Sequence, residues 1–399
     1  MNRFDLITPE GTRDSLFAEC TLRRQLESRL HGLFAARGYS EIITPTLEFY
    51  DVFNREAQPF PQERMYKLTD AKGRLLVLRP DNTVPIARVC ATRLRDAALP
   101  LRLYYNQNIH VISPSLKGRD DEISQSGIEL IGSDSRMADL EVIAAAADVL
   151  SSFGTEYTLE LGNAAFFTEL MAQLPVSDEI KETIRDCIEA KNYPALGDLL
   201  DTMENSEITK ALRMLPRLFG GEEVFAKAAA LCTGERFSEI LAELKSLWES
   251  VSQFAGKERV TVDLGMVHRT DYYTGMILRG YLSGYGEEVL SGGRYDKLIA
   301  EFGYDVPATG FGVNIDAVVK VLNKQNETVP AAEQPVSNVL IWAEKGCEAD
   351  AIEAAKSLRA KGLVVEHSLS ETIEEAKQYA AAHGIDSVLP IEKKEPAAK

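Results

Sequence analysis

The sequence of 399 residues has no apolar run of roughly 18 residues, so its length patterning excludes a membrane-spanning helix. Its opening, MNRFDLITPEGTRD, has no apolar stretch of the kind that begins a secretory signal. Cysteine is sparse: Cys20, Cys90, Cys187, Cys232 and Cys347 lie far apart, with no C-x-x-C pair. That spacing predicts isolated thiols in a reduced, cytoplasmic protein, without disulfides, a zinc site or a bound cofactor. Positive charge is short too. Lys and Arg number 44 against 61 Asp and Glu, a formal charge of -17, so there is no broad basic footprint for neutralising nucleic-acid phosphates. Internal repeats and low-complexity tracts are absent. What remains is ordinary globular composition, 45% hydrophobic and 26% charged, long enough for two or three domains with full cores.

Residues 14–37 read as an amphipathic helix, opened by Asp14 as N-cap and closed by Gly38. Short apolar runs follow at Ser40–Ile43, Leu75–Leu78, Leu101–Tyr105 and Gly127–Gly132, separated by turn residues, as in a mostly antiparallel sheet. A second helix is expected over 137–152. From about 164 to 256 helical periodicity dominates, punctuated by Pro175, Pro194 and Pro216, which predicts a helical insertion within one sheet domain. Strand patterns resume at 259–264, 275–282 and 287–290, and 309–322 reads as a strand and final helix. The polar, proline-bearing stretch 323–337 is the expected linker between a core over 1–322 and a small domain over 338–399. The latter alternates strand and helix, predicting a largely parallel sheet.

Four stretches carry candidate chemistry. In Leu78-Arg-Pro-Asp-Asn-Thr83, a carboxylate and a hydroxyl two residues apart can receive an ammonium together, although Asp81 or Thr83 also suits a plain helix cap. In Gln125-Ser-Gly-Ile-Glu129, strand alternation puts Gln125 and Glu129 on one face with Gly127 leaving room between them. Such polar groups on a buried face bind something or pair with each other. In Thr270-Asp-Tyr-Tyr-Thr-Gly275, adjacent tyrosines on a strand would face opposite ways, one into a pocket and one into the core. Ser291-Gly-Gly-Arg-Tyr-Asp296 offers paired glycines for close backbone approach or for a simple bulge.

In order and spacing these stretches resemble histidyl-tRNA synthetase from residue 8 to about 322. Thr8-Pro-Glu-Gly-Thr-Arg-Asp14 is similar to that family's opening motif, Tyr39–Pro45 to motif 1, and Gly310-Phe-Gly-Val313 to the start of motif 3. Asp271–Gly275 and Gly292–Asp296 are similar to its two histidine-specific signatures. The resemblance implies an α+β class II synthetase fold, a six- or seven-stranded antiparallel sheet with flanking helices, in a homodimer. It also implies a histidine pocket: Asp81, Thr83 and Gln125 at the α-ammonium, Glu129 and Tyr273 at the imidazole nitrogens, with Tyr272 beside them.

Departures from that family's pattern carry the functional expectation. Val111 and Ser113 stand where motif 2 needs an arginine and an acid for ATP, and Ala317 stands where motif 3 needs an arginine. Adenylation spreads negative charge over a phosphorus centre, and losing one such stabilising donor costs about 3–4 kcal/mol. His268 occupies the slot of the arginine that would meet the ligand carboxylate, with Arg269 next to it as the histidine-binding candidate for that contact, while Lys117 and Arg119 keep an anion-binding option in the motif 2 loop. A synthetase scaffold that keeps the histidine pocket and drops ATP chemistry resembles the regulatory subunits of ATP phosphoribosyltransferase. That resemblance implies a non-catalytic chain, partnered by a short-form catalytic subunit in a hetero-oligomer of histidine biosynthesis, and responsive to L-histidine. The final 70 or so residues resemble an abbreviated anticodon-binding domain, which argues against tRNA recognition. A divergent histidyl-tRNA synthetase, or another synthetase-like paralogue, is the alternative.

Overall fold

The computed structural model describes residues 4–55, 60–113, 120–267, 272–324 and 338–393. The chain divides into two compact units, Met1–Val329 and Pro330–Lys399.

The first unit is built on a nine-stranded sheet, in spatial order Ser40–Glu41, Leu101–His110, Glu122–Ile131, Ala308–Asn314, Leu290–Arg294, Met276–Leu282, Tyr157–Asn163, Val260–Asp263 and Phe219–Gly220. Neighbours are antiparallel except Ser40–Glu41 on Leu103–Tyr104 and Val260–Val262 on Leu159–Leu161. The count exceeds the expected six or seven partly because two edge strands have only two residues each, too short to leave a period in the sequence. A second sheet, Leu47–Phe49, Leu75–Leu78 and Lys67–Thr69, was legible only in its central strand.

One face of the large sheet is covered by helices. Ala18–Ala35 contributes Leu26, Leu30 and Phe34, each fully buried, and Arg136–Ser152 contributes Val142, Ile143, Ala146 and Leu150. The small alanines let the second helix lie close to the strands. The first helix starts four residues later than its expected N-cap at Asp14. Phe17 turns the backbone into the left-handed region, φ 46°, and Arg13 reaches forward to pair with Glu19. The helix ends at Ala35, two residues short of the expected 37, and Gly38 closes it at φ +79°, donating to Ala35 O at 3.0 Å. Between Asn163 and Val260 stand six helices, from Ala164–Gln173 to Glu235–Ala255, in the place of the predicted insertion.

The opposite sheet face holds a second apolar cluster, around Ile86, Tyr105, Tyr272 and Tyr295. Tyr104 points into the first cluster and Tyr105 into the second, as strand alternation requires. This second face carries the candidate site.

In the second unit, Asn338–Ala343 lies between parallel strands Val364–His367 and Ser387–Ile391. Leu340 packs with Ala376 and Ala380 of the helix Ile373–Ala382, and Ile341 packs with Ala351 and Ala355 of the helix Glu348–Arg359. Successive strand residues thus serve opposite faces, one helix on each.

Candidate functional site

The floor of the site is the strand Glu122–Ile131. Gln125, Gly127 and Glu129 pair with Gln107, Tyr105 and Leu103 on one side and with Asn314, Gly312 and Gly310 on the other. The glycines keep the floor open. A Cβ on Gly310 would fall on the Glu129 carboxylate and the Ile128 carbonyl, and one on Gly312 would lie 2.6 Å from Gln125 Nε2.

Above the floor comes the start of the helix Thr83–Thr92. Asp81 Oδ1 accepts from Val84 N at 2.8 Å, so it caps the helix after all. Thr83 turns inward and its hydroxyl donates to Glu129 Oε1 at 2.7 Å. Tyr295 donates to the other carboxylate oxygen, Oε2. Glu129, 1% exposed, therefore has both oxygens engaged by hydroxyls. Asn82 Nδ2 and the Tyr105 hydroxyl both donate to Gln125 Oε1, at 3.0 and 3.2 Å. Tyr272 and Tyr273 close the side, their rings edge-on with centroids 4.8 Å apart. They precede the strand Met276–Leu282 instead of lying on it, so the expected opposite facing fails: both rings line the same cavity.

That cavity has a volume of about 200 Å³, and Arg64, Val111 and Ser291 border it as well. Sites for drug-sized ligands run to ~300–1,000 Å³, so this one suits a molecule of amino-acid size. Its electrostatics favour a cation. Burial pushes the Asp81 carboxyl up to about 6, against the Val84 and Thr83 backbone N–H groups that draw it down. Burial pushes Glu129 up to about 8, opposed by the Tyr295 and Thr83 hydroxyls and reinforced by the nearby Asp81 charge. Near pH 7 the pair carries about one negative charge. Tyr105, Tyr272, Tyr273 and Tyr295 are all pushed above the usual phenol range by burial and stay protonated as donors.

A family model described as histidyl-tRNA synthetase matches residues 11–318. A Clostridium kluyveri protein named ATP phosphoribosyltransferase regulatory subunit is 42% identical over 377 residues, covering 93% of this chain and 95% of that one. Its namesake from Clostridium acetobutylicum is 41% identical over 386 residues, covering 95% and 94%. The chain belongs to the ATP phosphoribosyltransferase regulatory subunit family, within the histidyl-tRNA synthetase fold. A solved Bacillus halodurans chain, titled ATP phosphoribosyltransferase regulatory subunit/histidyl-tRNA synthetase, superposes with TM-score 0.84 at 29% identity, covering 99% of this chain and 100% of that one. Histidyl-tRNA synthetase from Nostoc sp. PCC 7120 shares the fold, at TM-score 0.76 and 21% identity over 98% of this chain and 92% of that one.

Within this regulatory-subunit family member, the positions expected to lack ATP-gripping groups are built as follows. Val111 lines the cavity with an apolar side chain, and its backbone N–H donates to Asp121 O at 2.8 Å. Ser113 N donates to Asp121 Oδ1 at 3.0 Å. Ala317, 2% exposed, packs in the main core, and the adjacent Asp316 is held by Arg23 and by Ser124 N, the latter at 2.7 Å. Lys117, Arg119, His268 and Arg269 lie outside the described residues. Among the described residues, no group of His, Cys, Asp and Glu could hold a metal.

The structure brings Asp81, Thr83, Gln125, Glu129, Tyr272 and Tyr273 around one cavity. Tyr105 and Tyr295 line it too, and the buried Asn82 bonds to Gln125; the sequence reading gave none of the three a role. Tyr295 stood inside a quoted signature, but its direction depends on a strand end that sequence does not fix. Tyr105 was hidden because register between distant strands is invisible in one sequence. With its oxygen taken by two donors, Gln125 keeps its NH2 as its donor end, and Asp81 and the Thr83 oxygen are acceptors bordering the same cavity.

Proposed function

We propose that this chain is a non-catalytic regulatory subunit of ATP phosphoribosyltransferase, acting in the cytoplasm within histidine biosynthesis. It assembles with a short-form catalytic subunit, self-associates as a homodimer, and binds L-histidine in the cavity around Glu129. Asp81 and Thr83 receive the α-ammonium, Gln125 completes that end of the pocket, and Glu129 with Tyr273 reads the imidazole beside Tyr272. The chain does not activate histidine with ATP.

The observation that carries this reading is one cavity holding the buried Glu129 carboxyl and the half-buried Asp81 carboxyl beside Val111, where an ATP-activating site of this fold places an arginine. Self-association is supported by exposed apolar groups on and after the motif 1 segment: Ile43 is 77% exposed and Phe49 44%.

The test is calorimetry with L-histidine on the wild-type chain and Glu129→Ala, alone and with the catalytic partner. With an imidazolium ring displacing the Glu129 proton, the hydrogen bond is charge-assisted and worth about 1.5–3 kcal/mol, so Glu129→Ala should bind roughly 10-fold or more weakly. It should blunt histidine inhibition of the complex and leave basal activity in place. Identical binding in both chains would show that this cavity is not the sensor. In parallel, histidine-dependent exchange of pyrophosphate into ATP should not exceed a mock preparation. A robust rate would favour a divergent synthetase instead.

A further inference from the structure

Arg294 and Tyr295 are successive extended residues at the end of the strand Leu290–Arg294, so their side chains leave opposite faces of the sheet. Tyr295 enters the cavity and donates to Glu129. Arg294 goes the other way, 7% exposed, to the first turn of the helix Arg136–Ser152. There its Nε donates to both oxygens of Asp139, at 3.0 and 3.3 Å, and its Nη1 to Ser133 O at 3.1 Å and Asp296 Oδ1 at 3.0 Å. Thr274 ties in the second aromatic wall. Its N–H donates to Arg294 O at 2.8 Å, and its hydroxyl accepts from Asp296 N at 3.0 Å. Tyr295 thus follows, and the segment after Tyr272 and Tyr273 bonds to the backbone of, a residue whose buried guanidinium is clamped on the far side of the sheet and does not itself line the cavity.

Packing alone does not call for this ion pair. Taking both charges out of water carries a penalty that well-packed apolar residues avoid, and such replacement of a buried pair is often neutral or stabilising. Nor is the surrounding space tightly filled, because Arg294 and Asp139 border a separate, solvent-open cleft of about 580 Å³. A planar fork with several fixed acceptors does what an apolar side chain cannot: it fixes the rotation and height of the residue that follows.

We propose that Arg294 is a positioning residue for the Glu129 cavity: clamped by Asp139, Ser133 and Asp296, it holds the Tyr295 hydroxyl on Glu129 and so sets the direction in which Glu129 meets a ligand. The inference rests on the histidine reading for its ligand, but the clamp itself has a readout that needs no ligand.

The experiment uses the full chain carrying Tyr295→Phe, Arg294→Lys and the paired change Asp139→Leu with Arg294→Met. Thermal melting, L-histidine affinity and the carbon-13 NMR titration of Glu129 are followed, the Glu129 signal being assigned with Glu129→Gln. The Tyr295 bond draws the Glu129 titration down, so its loss moves that titration up. The paired variant should melt at or above the wild-type temperature, bind histidine at least about 10-fold more weakly, and show the upward movement seen in Tyr295→Phe. Adding Tyr295→Phe to it should change nothing further, because both act on one bond. Arg294→Lys keeps the charge and loses the fork, so a partial shift in the same direction is expected. A folded paired variant with wild-type affinity and an unmoved Glu129 titration overturns the proposal. If the paired variant does not fold, Arg294→Lys decides, and an unmoved titration there overturns it equally. If the wild-type chain binds no histidine, the ligand reading fails on its own while the titrations still judge the clamp.

Discussion

Two parts of the first unit treat buried polarity in opposite ways. Around Glu129, carboxyl, hydroxyl and amide groups are drawn out of water together, with Asn82 at 0% and Glu129 at 1% exposure. Where the fold would grip a triphosphate, the side chains are valine, serine and alanine, and the acid Asp316 is already occupied by Arg23 and Ser124. Burying a carboxyl opposes folding, as the upward displacement of Glu129 and Asp81 shows, and an apolar residue at either position would remove that cost. Among the described residues, the most deeply buried acid is Glu129, while Val111, Ser113 and Ala317 carry no charge.

The sharpest way to break that contrast is to measure the cost of the buried acid directly. The folded state holds the Glu129 proton up to about pH 8, whereas the unfolded chain releases it near the ordinary glutamate value of 4.5. For a carboxyl raised in the folded state, stability is fullest below the unfolded value. It is lost as pH climbs toward the folded value, and levels off above it. Relative to Glu129→Gln, the ligand-free wild type should therefore lose stability between about pH 4.5 and 8, by up to about 3 kcal/mol at pH 7. Asp81 adds a loss of the same sign at lower pH, from about 3.8 to 6, which the comparison cancels. Denaturant unfolding across this range checks it, and parallel curves for the two chains would mean that Glu129 is better solvated than its burial implies.

The next effect concerns the open floor. Gly310→Ala should lose about 1–3 kcal/mol of stability by overpacking and should abolish ligand binding, because the new methyl group occupies the place of the Glu129 carboxylate. Gly303→Ala has open space around it and serves as the contrast, although its φ of +81° strains it too. Retained binding by Gly310→Ala would show that the floor can yield by the width of a methyl group.

Much of this was written in the sequence and some was not, for identifiable reasons. Leu75–Leu78, Val364–His367 and Ser387–Ile391 carry their strand signal locally, and the strands fall on those residues. The Gln125–Glu129 alternation predicted one polar face, and the ladder keeps it because a one-residue slip would send Glu129 into the helix-covered core. Asp14 looked like a cap, but local propensity lost to the turn at Phe17. The two tyrosines of the Thr270–Gly275 stretch were given strand geometry they do not have. The partners of Glu129 and Gln125, Tyr295 and Tyr105, come from strands far away in the chain, and no period within one segment encodes such a meeting.

Between the two units the comparison is of independence. Val339 and Ile341 pair on both sides within the second unit, and its apolar clusters are made of its own residues. Deleting residues 330–399 should leave a first unit that is soluble and melts cooperatively, because each unit has its own core. Aggregation or a broad, uncooperative melt would place the boundary elsewhere.

The smallest expected effect tests the orientation of Gln125. Two donors, Asn82 Nδ2 and the Tyr105 hydroxyl, hold its oxygen, and together they leave its NH2 as the donor end. Tyr105→Phe removes one donor and keeps the ring, which packs in the cluster with Tyr272 and Tyr295. One neutral hydrogen bond contributes about 0.5–1.5 kcal/mol, so histidine affinity should fall by about 2- to 10-fold. The ligand's carboxylate end should feel the change most, because an NH2 group can donate to a carboxylate and cannot accept from an ammonium. Wild type should therefore prefer L-histidine over its methyl ester, and Tyr105→Phe should narrow that preference as the amide gains freedom to turn over. A variant that binds both ligands more weakly by the same factor would mean that Gln125 does not face the carboxylate. A variant that binds both as wild type does would mean that Asn82 alone fixes the amide.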